Sequence, residues 1–400
     1  MNDAAHAGTD LPLLSRPMLA LLGAQFLSAF ADNALLIVAI ATLKAQADAG
    51  QVPWLQIAFV APFILLAPFV GLIADAQPKG RVLLIGNGIK LIGALGLLTG
   101  LPPVIAYGIA GIGAAVYSPA KYGILTQLFG PGKLVRANGL LEGSTIVAIL
   151  VGVFVGGQLS DASLSLALNV VIGLFVFAAL LNLLIPRLPI ERALHTTDPA
   201  QLAREFGDNL RVLHGNHDAR DSLIATGTFW GMGATLRLML FAWVPVALGI
   251  PDNGTPANLM GAVSIGIVAG AALAGLWVTL ATVNRALIGG FLLGPLVMGL
   301  ALIGDIGLAV GVLVALGAAG GLFVVPMNAL LQEQGHHSIG AGRALAVQNF
   351  WENAAMMGFV GLYLFLTQLG LPIQASLFLF GAFLLAAVSL VSWLRLGRRG

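Results

Sequence analysis

Long apolar runs separated by short polar breaks are the dominant pattern of this 400-residue chain. A helix needs about 20 mostly apolar residues to cross the hydrocarbon layer of a membrane. The runs are continuous rather than alternating, which favours helices over a β-barrel. The pattern therefore predicts twelve membrane-spanning helices. They cover residues 18–43, 54–75, 82–101, 103–127, 138–160, 163–186, 221–248, 258–281, 286–303, 306–331, 344–368 and 371–394.

The composition agrees with this pattern, because only 9% of the residues are charged and 58% are apolar. A soluble protein of this length needs more polar side chains to cover its surface. A soluble enzyme, a disordered chain and a nucleic-acid-binding protein are therefore excluded. The absence of Cys also removes thiolate nucleophiles and Cys-ligated metals. The His-bearing segments 214–218 and 336–337 are predicted to be solvated, so we expect no metal site. No GxGxxG follows a strand and neither a nucleophile elbow nor an HExxH motif occurs, so we expect no cofactor and no enzymatic activity.

The distribution of Lys and Arg predicts the orientation. Of the 19 Lys and Arg residues, fifteen fall on the side that is cytoplasmic when both termini are placed inside. Outside the spans, the opposite side keeps only Lys44 among its basic residues. Cytoplasmic loops carry an excess of basic residues, so both termini are predicted to be cytoplasmic. The polar Met1–Ser15 segment lacks the pattern of a cleaved signal peptide.

One long polar stretch, residues 187–220, divides the predicted spans into six and six. Within it, Leu202, Phe206, Leu210 and Leu213 recur at helical spacing. This spacing predicts an amphipathic helix, either lying on the cytoplasmic membrane surface or serving only as a solvated tether. The predicted organisation is an N-terminal six-helix bundle (1–186), a cytoplasmic linker (187–220) and a C-terminal six-helix bundle (221–400).

The two halves share a sequence pattern. Residues 116–127 resemble residues 323–334, each with a Pro late in the fourth span of its half. The next span of each half then carries a Glu at a comparable depth, Glu142 and Glu352. Parallel repeats of six helices about an axis along the membrane normal are typical of one large class of transporters. The repeat therefore favours a two-bundle transporter.

Six ionisable side chains lie inside the spans, where a charge costs about 2.5–3.5 kcal/mol on insertion scales. Asp32 and Arg237 lie near the middle of spans 1 and 7 at similar depth, so we expect them to pair across the bundles. Such a pair either binds or gates the substrate or is a permanent structural salt bridge. The six residues are Asp32, Lys90, Lys121, Glu142, Arg237 and Glu352.

The other in-span charges have separate explanations. Lys121 and Glu142 are expected to pair with each other, as a brace or as substrate contacts. The position that matches Lys121 in the second half is the neutral Asn328. Glu352 is therefore either a candidate for protonation or a hydrogen-bonded interior acid. Lys90 lies about 13 Å into its helix and is expected to extend toward the headgroups.

Closely spaced glycines occur in several spans. Gly266 and Gly270 stand four residues apart on one face of span 8. Small residues at this spacing let a neighbouring helix approach closely. We therefore expect a helix–helix contact at these two positions.

The loop between spans 2 and 3 carries Gly71, Asp75, Gly80 and Arg81. A Gly, an Asp four residues later and a Gly beside basic residues resemble the loop signature of the major facilitator superfamily. The loop departs from that signature in a longer spacing between Asp and Gly and in Ala76, where a basic residue is usual. The equivalent loop of the second half keeps the Arg but lacks the Asp. The resemblance implies a gating role for Asp75 and Arg81.

A closer resemblance lies in five segments, residues 25–36, 117–125, 137–142, 243–250 and 325–332. They resemble the bacterial lysophospholipid transporters of that superfamily, and the resemblance runs through nearly all twelve spans. It implies the major facilitator fold and a multi-pass protein of the bacterial inner membrane. It also implies flipping of lysophosphatidylethanolamine, and of lysophosphatidylglycerol, to the cytoplasmic leaflet. There a separate cytosolic-face acyltransferase is expected to reacylate the lipid.

The in-span charges suit such a cargo. Arg237 is expected to hold the lipid phosphate. Asp32, beside Asn33, is expected to take the ammonium group. The alternative is a proton-coupled exporter of amphipathic drugs that uses Glu352 or Asp32 as its proton carrier. A membrane scaffold that transports nothing is a third possibility.

Overall fold

The computed structural model describes residues 12–46, 51–193, 198–250 and 254–396, and no strand occurs among them. Fourteen α-helices and one 3₁₀ segment, Leu280–Arg285, account for most of these residues. The helices are α1 Arg16–Ala45, α2 Val52–Leu65, α3 Ala67–Ala76, α4 Lys79–Leu98, α5 Pro103–Leu128, α6 Pro131–Ala162, α7 Leu164–Leu183, α8 Pro199–Gly215, α9 His217–Ala247, α10 Gly254–Trp277, α11 Ala286–Leu300, α12 Ile306–Ser338, α13 Ala341–Gln368 and α14 Ile373–Leu396.

Ten helices in the described part of the chain are long and apolar enough to cross a membrane. The pair α2 and α3 supplies an eleventh span, bent by 62°. The bend follows from Pro62 inside α2 and a second proline, Pro68, in the first turn of α3, because proline cannot donate a backbone hydrogen bond. The remaining predicted span, 344–368, corresponds to α13, a 28-residue helix with buried Arg343 and Glu352. The prediction of an all-α membrane protein is confirmed.

Most predicted span boundaries lie within a few residues of the helix ends. The largest differences are α6, which begins at Pro131 rather than at 138, and α12, which continues to Ser338 rather than ending at 331. The cytoplasmic placement of both termini stays a prediction, since residues 1–11 and 397–400 lie outside the described residues.

The chain divides into two compact units. Unit 1 has a core built mainly from α1, α4, α5 and α7, in which Leu35, Val38 and Phe175 are fully buried. It consists of Met1–Gly130, Ser144–Val212 and Gly335–Phe350.

Unit 2 has its own apolar core, built from helices α9 to α14. Trp243, Phe323 and Phe380 are its largest buried side chains. The unit consists of Pro131–Gly143, Leu213–Gln334 and Trp351–Gly400. The division of the sequence into two six-helix halves on either side of a 187–220 linker stays a prediction.

Helix α8 is the amphipathic helix predicted in the linker. Leu202 and Leu213 are buried by other protein residues, and the ring of Phe206 packs edge-on against Phe350 within unit 1. The apolar stripe is therefore a protein-packing surface. Whether the helix also lies on the cytoplasmic membrane surface stays a prediction.

The expected glycine contact is present in unit 2. A Cβ atom added at Gly266 would collide with the carbonyl oxygen of Val314, and one added at Gly270 would collide with that of Ala318. The backbones of α10 and α12 therefore pack in direct contact at these positions, as the small-residue spacing predicts.

We expect Gly270→Ala to lower the midpoint of thermal unfolding. The added methyl group has no room beside Ala318, and overpacking of this kind costs about 1–3 kcal/mol. The matched control is Gly261→Ala in the same helix, where an added Cβ meets nothing within 4 Å. Equal melting temperatures for the two variants would contradict the close contact.

Candidate functional site

A buried ion pair lies inside unit 1, between α1 and α4. The Nζ of Lys90 lies 2.6 Å from Oδ2 of Asp32 and donates a second hydrogen bond, of 2.9 Å, to Oγ of Ser28. The Lys90 side chain is 3% exposed and that of Asp32 is 14% exposed. Ser28 and Asp32 are four residues apart in α1 and so share one helical face. Asp32 is thus the outer member of the pair and Lys90 the inner one.

The polar atoms around this pair are incompletely satisfied. Ser28 Oγ donates to Oδ1 of Asn87 at 2.6 Å, and Lys90 Nζ lies 4.9 Å from the centre of the Tyr117 ring. Three buried atoms have no hydrogen-bond partner among the described residues: Asp32 Oδ1, Asn87 Nδ2 and the Tyr117 hydroxyl. Unsatisfied buried polar groups are costly and uncommon, so three in one cluster indicate a functional site. We call Ser28, Asp32, Asn87, Lys90 and Tyr117 the charge-pair cluster.

This geometry corrects one expectation. Lys90 is buried and paired, so its predicted extension toward the headgroups is wrong. Within unit 1, the ion-pair partner of Asp32 is Lys90, and the predicted pairing of Asp32 with Arg237 stays a prediction. Arg237 is an exposed residue of α9 in unit 2. The charge of the buried Lys121 also acts attractively on Asp32 within unit 1.

The remaining predicted site residues are separated by unit. Asn33 lies in unit 1, half-buried, and its Nδ2 donates to the carbonyl of Ala29 at 2.8 Å. Three predicted site residues are buried in unit 2, and each makes polar interactions: Glu142, Asn328 and Glu352. The predicted pairing of Lys121 with Glu142 and the protonation of Glu352 stay predictions.

Two of the segments that resemble the lysophospholipid transporters, residues 137–142 and 325–332, contact each other in unit 2. Asn138 and Gln332, both fully buried, exchange side-chain amide hydrogen bonds of 2.8 and 2.7 Å. The pair joins the first turns of α6 to α12. Two buried amides that satisfy each other in this way fix the register of the two helices.

A second cluster surrounds Asp75 of the loop signature. The amide N–H groups of Gly342 and Arg343 donate to the two Asp75 carboxylate oxygens at 2.7 and 3.0 Å. Lys79 Nζ lies 2.8 Å from Asp75 Oδ1. The first amides of a helix lack partners within the helix and carry partial positive charge, so a carboxylate stabilises them. Asp75 therefore caps the N-terminus of α13.

Glu191 completes this arrangement from the linker. It accepts a hydrogen bond of 2.7 Å from the amide of Ala341, lies 3.1 Å from Lys79 Nζ and is 2.8 Å from Nδ1 of His336. We call Asp75, Lys79, Glu191 and His336 the signature cluster. Its two carboxylates together bind the first three amides of α13.

The surroundings of Glu191 keep it ionised. Burial raises the pKa of its carboxyl, but the hydrogen bond with His336, the charge of Lys79 and the amide of Ala341 outweigh burial and lower the pKa to about 2. The ordinary value is 4.5. Ionised Glu191 therefore stabilises the fold above pH 4.5, and this stabilisation is lost as the pH falls toward 2.

Of the two signature glycines, Gly71 has the stronger steric reason. A Cβ at Gly71 would lie 2.7 Å from Ala346 Cβ and 2.8 Å from the Gly342 carbonyl oxygen, so only glycine fits. A Cβ at Gly80 would lie 3.3 Å from Ile185. Arg81, in contrast, lies outside the signature cluster, exposed and donating to Gln77 at 3.2 Å. The basic residue that pairs with Asp75 is Lys79.

Sequence reasoning missed Lys79, Glu191, His336, Asn87 and Tyr117. The spacing of four between Asp75 and Lys79 was a usable signal for one of them, because such residues are neighbours on a helix. Nothing in the polar 187–220 stretch distinguished Glu191 from other linker acids.

The His-bearing segments have structural roles. His336 bonds Glu191, and the ring of His214 packs against that of Trp351. In the part of the chain that the structure describes, no group of three or more His, Asp or Glu is placed to hold a metal ion.

Membrane-spanning helices that enclose buried, paired charges are typical of transporters, and the comparisons agree. Residues 21–360 match the family model of the Major Facilitator Superfamily, and the chain belongs to this family. It is 50% identical over 368 residues to the lysophospholipid transporter LplT of Yersinia pestis (strain Pestoides F). The match covers 92% of this chain and 90% of that protein. LplT of Yersinia pseudotuberculosis (strain YPIII) gives the same values.

Solved structures agree on the fold. The Escherichia coli fucose:proton symporter FucP aligns with a TM-score of 0.75 at 15% identity, over 95% of this chain and 98% of that one. The human organic anion transporter MFSD10 aligns with a TM-score of 0.73 at 15% identity, over 95% and 100%. At this identity the likeness shows the fold alone. The predictions of the major facilitator fold and of a multi-pass protein of the bacterial inner membrane are confirmed.

Proposed function

We propose that the protein transports lysophospholipids, chiefly lysophosphatidylethanolamine and also lysophosphatidylglycerol. In this proposal it flips them to the cytoplasmic leaflet of the inner membrane, where a separate acyltransferase reacylates them. The observation that carries the proposal is the 50% identity to a lysophospholipid transporter over 92% of this chain.

The charge-pair cluster supports this substrate class. A phosphoethanolamine head carries one negative and one positive charge, and Asp32 and Lys90 carry the complementary charges 2.6 Å apart. The substrate ammonium replaces Lys90 at the more exposed Asp32, and the released Lys90 then pairs with the lipid phosphate. The Asp32–ammonium pair and the Lys90–phosphate pair each have zero net charge. The exchange therefore adds no net charge to a low-dielectric interior. Arg237 is a further candidate for the phosphate.

The test is head-group-resolved transport by the full-length protein in proteoliposomes, with and without an imposed proton gradient. We expect movement of lysophosphatidylethanolamine above that in protein-free liposomes, without a gradient. Transport that requires the gradient and is abolished by an ionophore would favour the proton-coupled exporter instead. Failure to move any lysophospholipid would contradict the proposal.

A further inference from the structure

A cavity of about 470 Å³ lies in unit 1, between the first turn of α4 and the end of α7. It is separate from the charge-pair cluster and shares none of its residues. Arg81, Asn182 and Arg187 line it, together with apolar side chains such as Leu84 and Leu183.

The charge of this cavity is positive. Arg81 and Arg187 are both exposed, and none of the described residues that line the cavity carries a carboxylate. The nearby acids Asp75 and Glu191 are engaged by Lys79, which lies two residues before Arg81. The two guanidinium groups therefore provide a site for an anion, and guanidinium is well suited to phosphate.

Asn182 gives an independent indication of a ligand. Its side chain is only 2% exposed, and neither its amide oxygen nor its amide nitrogen has a hydrogen-bond partner in the described chain. A buried amide without partners is costly. A ligand with both a hydroxyl group and acceptor oxygens would satisfy this donor and this acceptor together.

The rim of the cavity is apolar and exposed. Leu183 lines the cavity and is 62% exposed, and Leu184 beside it is 67% exposed. Leu183 is the last residue of the membrane-spanning helix α7 and Leu184 follows it, so both lie at the end of a span, where lipid covers the protein. A free phosphate ion would leave this surface unused, whereas a phospholipid would cover it with its acyl chains.

From these observations we infer that the cavity binds the head group of an anionic phospholipid whose head carries hydroxyl groups, as in phosphatidylglycerol. Arg81 and Arg187 hold the phosphate, and Asn182 bonds a head-group hydroxyl. Basic pockets between transmembrane helices are known to bind anionic lipid heads. The site does not depend on the transported substrate.

The test is native mass spectrometry of the full-length protein in detergent, titrated with phosphatidylglycerol or phosphatidylethanolamine. We expect wild-type protein to retain phosphatidylglycerol preferentially. Arg81→Gln/Arg187→Gln should weaken its binding at least tenfold. The matched control is Arg211→Gln, because the Arg211 side chain is 83% exposed on α8. Asn182→Leu should reduce the preference for phosphatidylglycerol over phosphatidic acid, which lacks the hydroxyl groups.

Three results would overturn the inference. The first is unchanged phosphatidylglycerol binding in both Arg81→Gln/Arg187→Gln and the single variant Arg187→Gln, which alters only one exposed side chain. The second is equal retention of phosphatidylethanolamine by the wild type. The third is a rise in melting temperature with inorganic phosphate equal to that with phosphatidylglycerol, which would indicate a free-anion site. Because binding is measured rather than transport, failure here leaves the proposed function untouched.

Discussion

Replacing Lys90 with Met is expected to reduce lysophosphatidylethanolamine transport at least tenfold. The substitution removes the 2.6 Å partner of Asp32 and leaves a buried carboxylate without its cation. Breaking a buried pair from one side costs about 3–5 kcal/mol. Transport in proteoliposomes and the melting temperature of the same preparation are the measurements. Lys44→Met is the matched control, since Lys44 is an exposed lysine at the end of the same helix as Asp32.

The double variant Asp32→Asn/Lys90→Gln separates a structural pair from a substrate site. Two neutral amides can hydrogen-bond to each other, so this variant should fold and melt near the wild-type temperature. The proposed exchange needs both charges, so we expect the double variant not to transport lysophosphatidylethanolamine. Lys90→Arg, which keeps the charge, should retain part of the activity. Transport at the wild-type rate by the double variant would show that the pair has only a structural role. Transport by the wild-type protein in the same experiment tests the proposed function separately.

Asp75→Ala is expected to lower the stability of the protein by at least about 3 kcal/mol. The change removes the ion pair with Lys79 and both hydrogen bonds to the first amides of α13, while burial keeps water from replacing them. The measurement is the midpoint of thermal unfolding in detergent. Asp75→Asn, which keeps one acceptor oxygen, should fall between Asp75→Ala and the wild type.

The control for this prediction is Asp161→Ala, because Asp161 is an exposed acid at the end of α6. It should melt at the wild-type temperature. If Asp75→Ala and Asp161→Ala have the same midpoint of thermal unfolding, the N-terminus of α13 does not depend on the signature cluster.

Helix content and the set of membrane-embedded charges could be predicted because each depends on local sequence. A run of about 20 apolar residues has few alternatives to a membrane-spanning helix. A charge inside such a run is visible without any knowledge of its neighbours. The bend between α2 and α3 was not predicted, although the sequence shows Pro62 and Pro68. Proline is also tolerated in unbroken transmembrane helices, because neighbouring groups can satisfy the freed backbone hydrogen-bonding groups.

The partners of the charges could not be predicted in the same way. Asp32 and Lys90 are separated by 58 residues, and Ala341 and Glu191 by 150. Which residues meet depends on the rotation of each helix about its axis and on which helices are neighbours. Span counting and charge counting do not contain that information, so Lys90 was expected near the headgroups and Lys79 was not singled out.

The sequence by itself determined that this chain is an all-helical membrane transporter, because apolar length, charge scarcity and sequence motifs are properties of the chain alone. Only the tertiary structure decided that Asp32 pairs with Lys90 and that Asp75 and Glu191 together cap α13. The physical reason is that a buried charge selects its partner by distance and burial, and both exist only once the helices have packed.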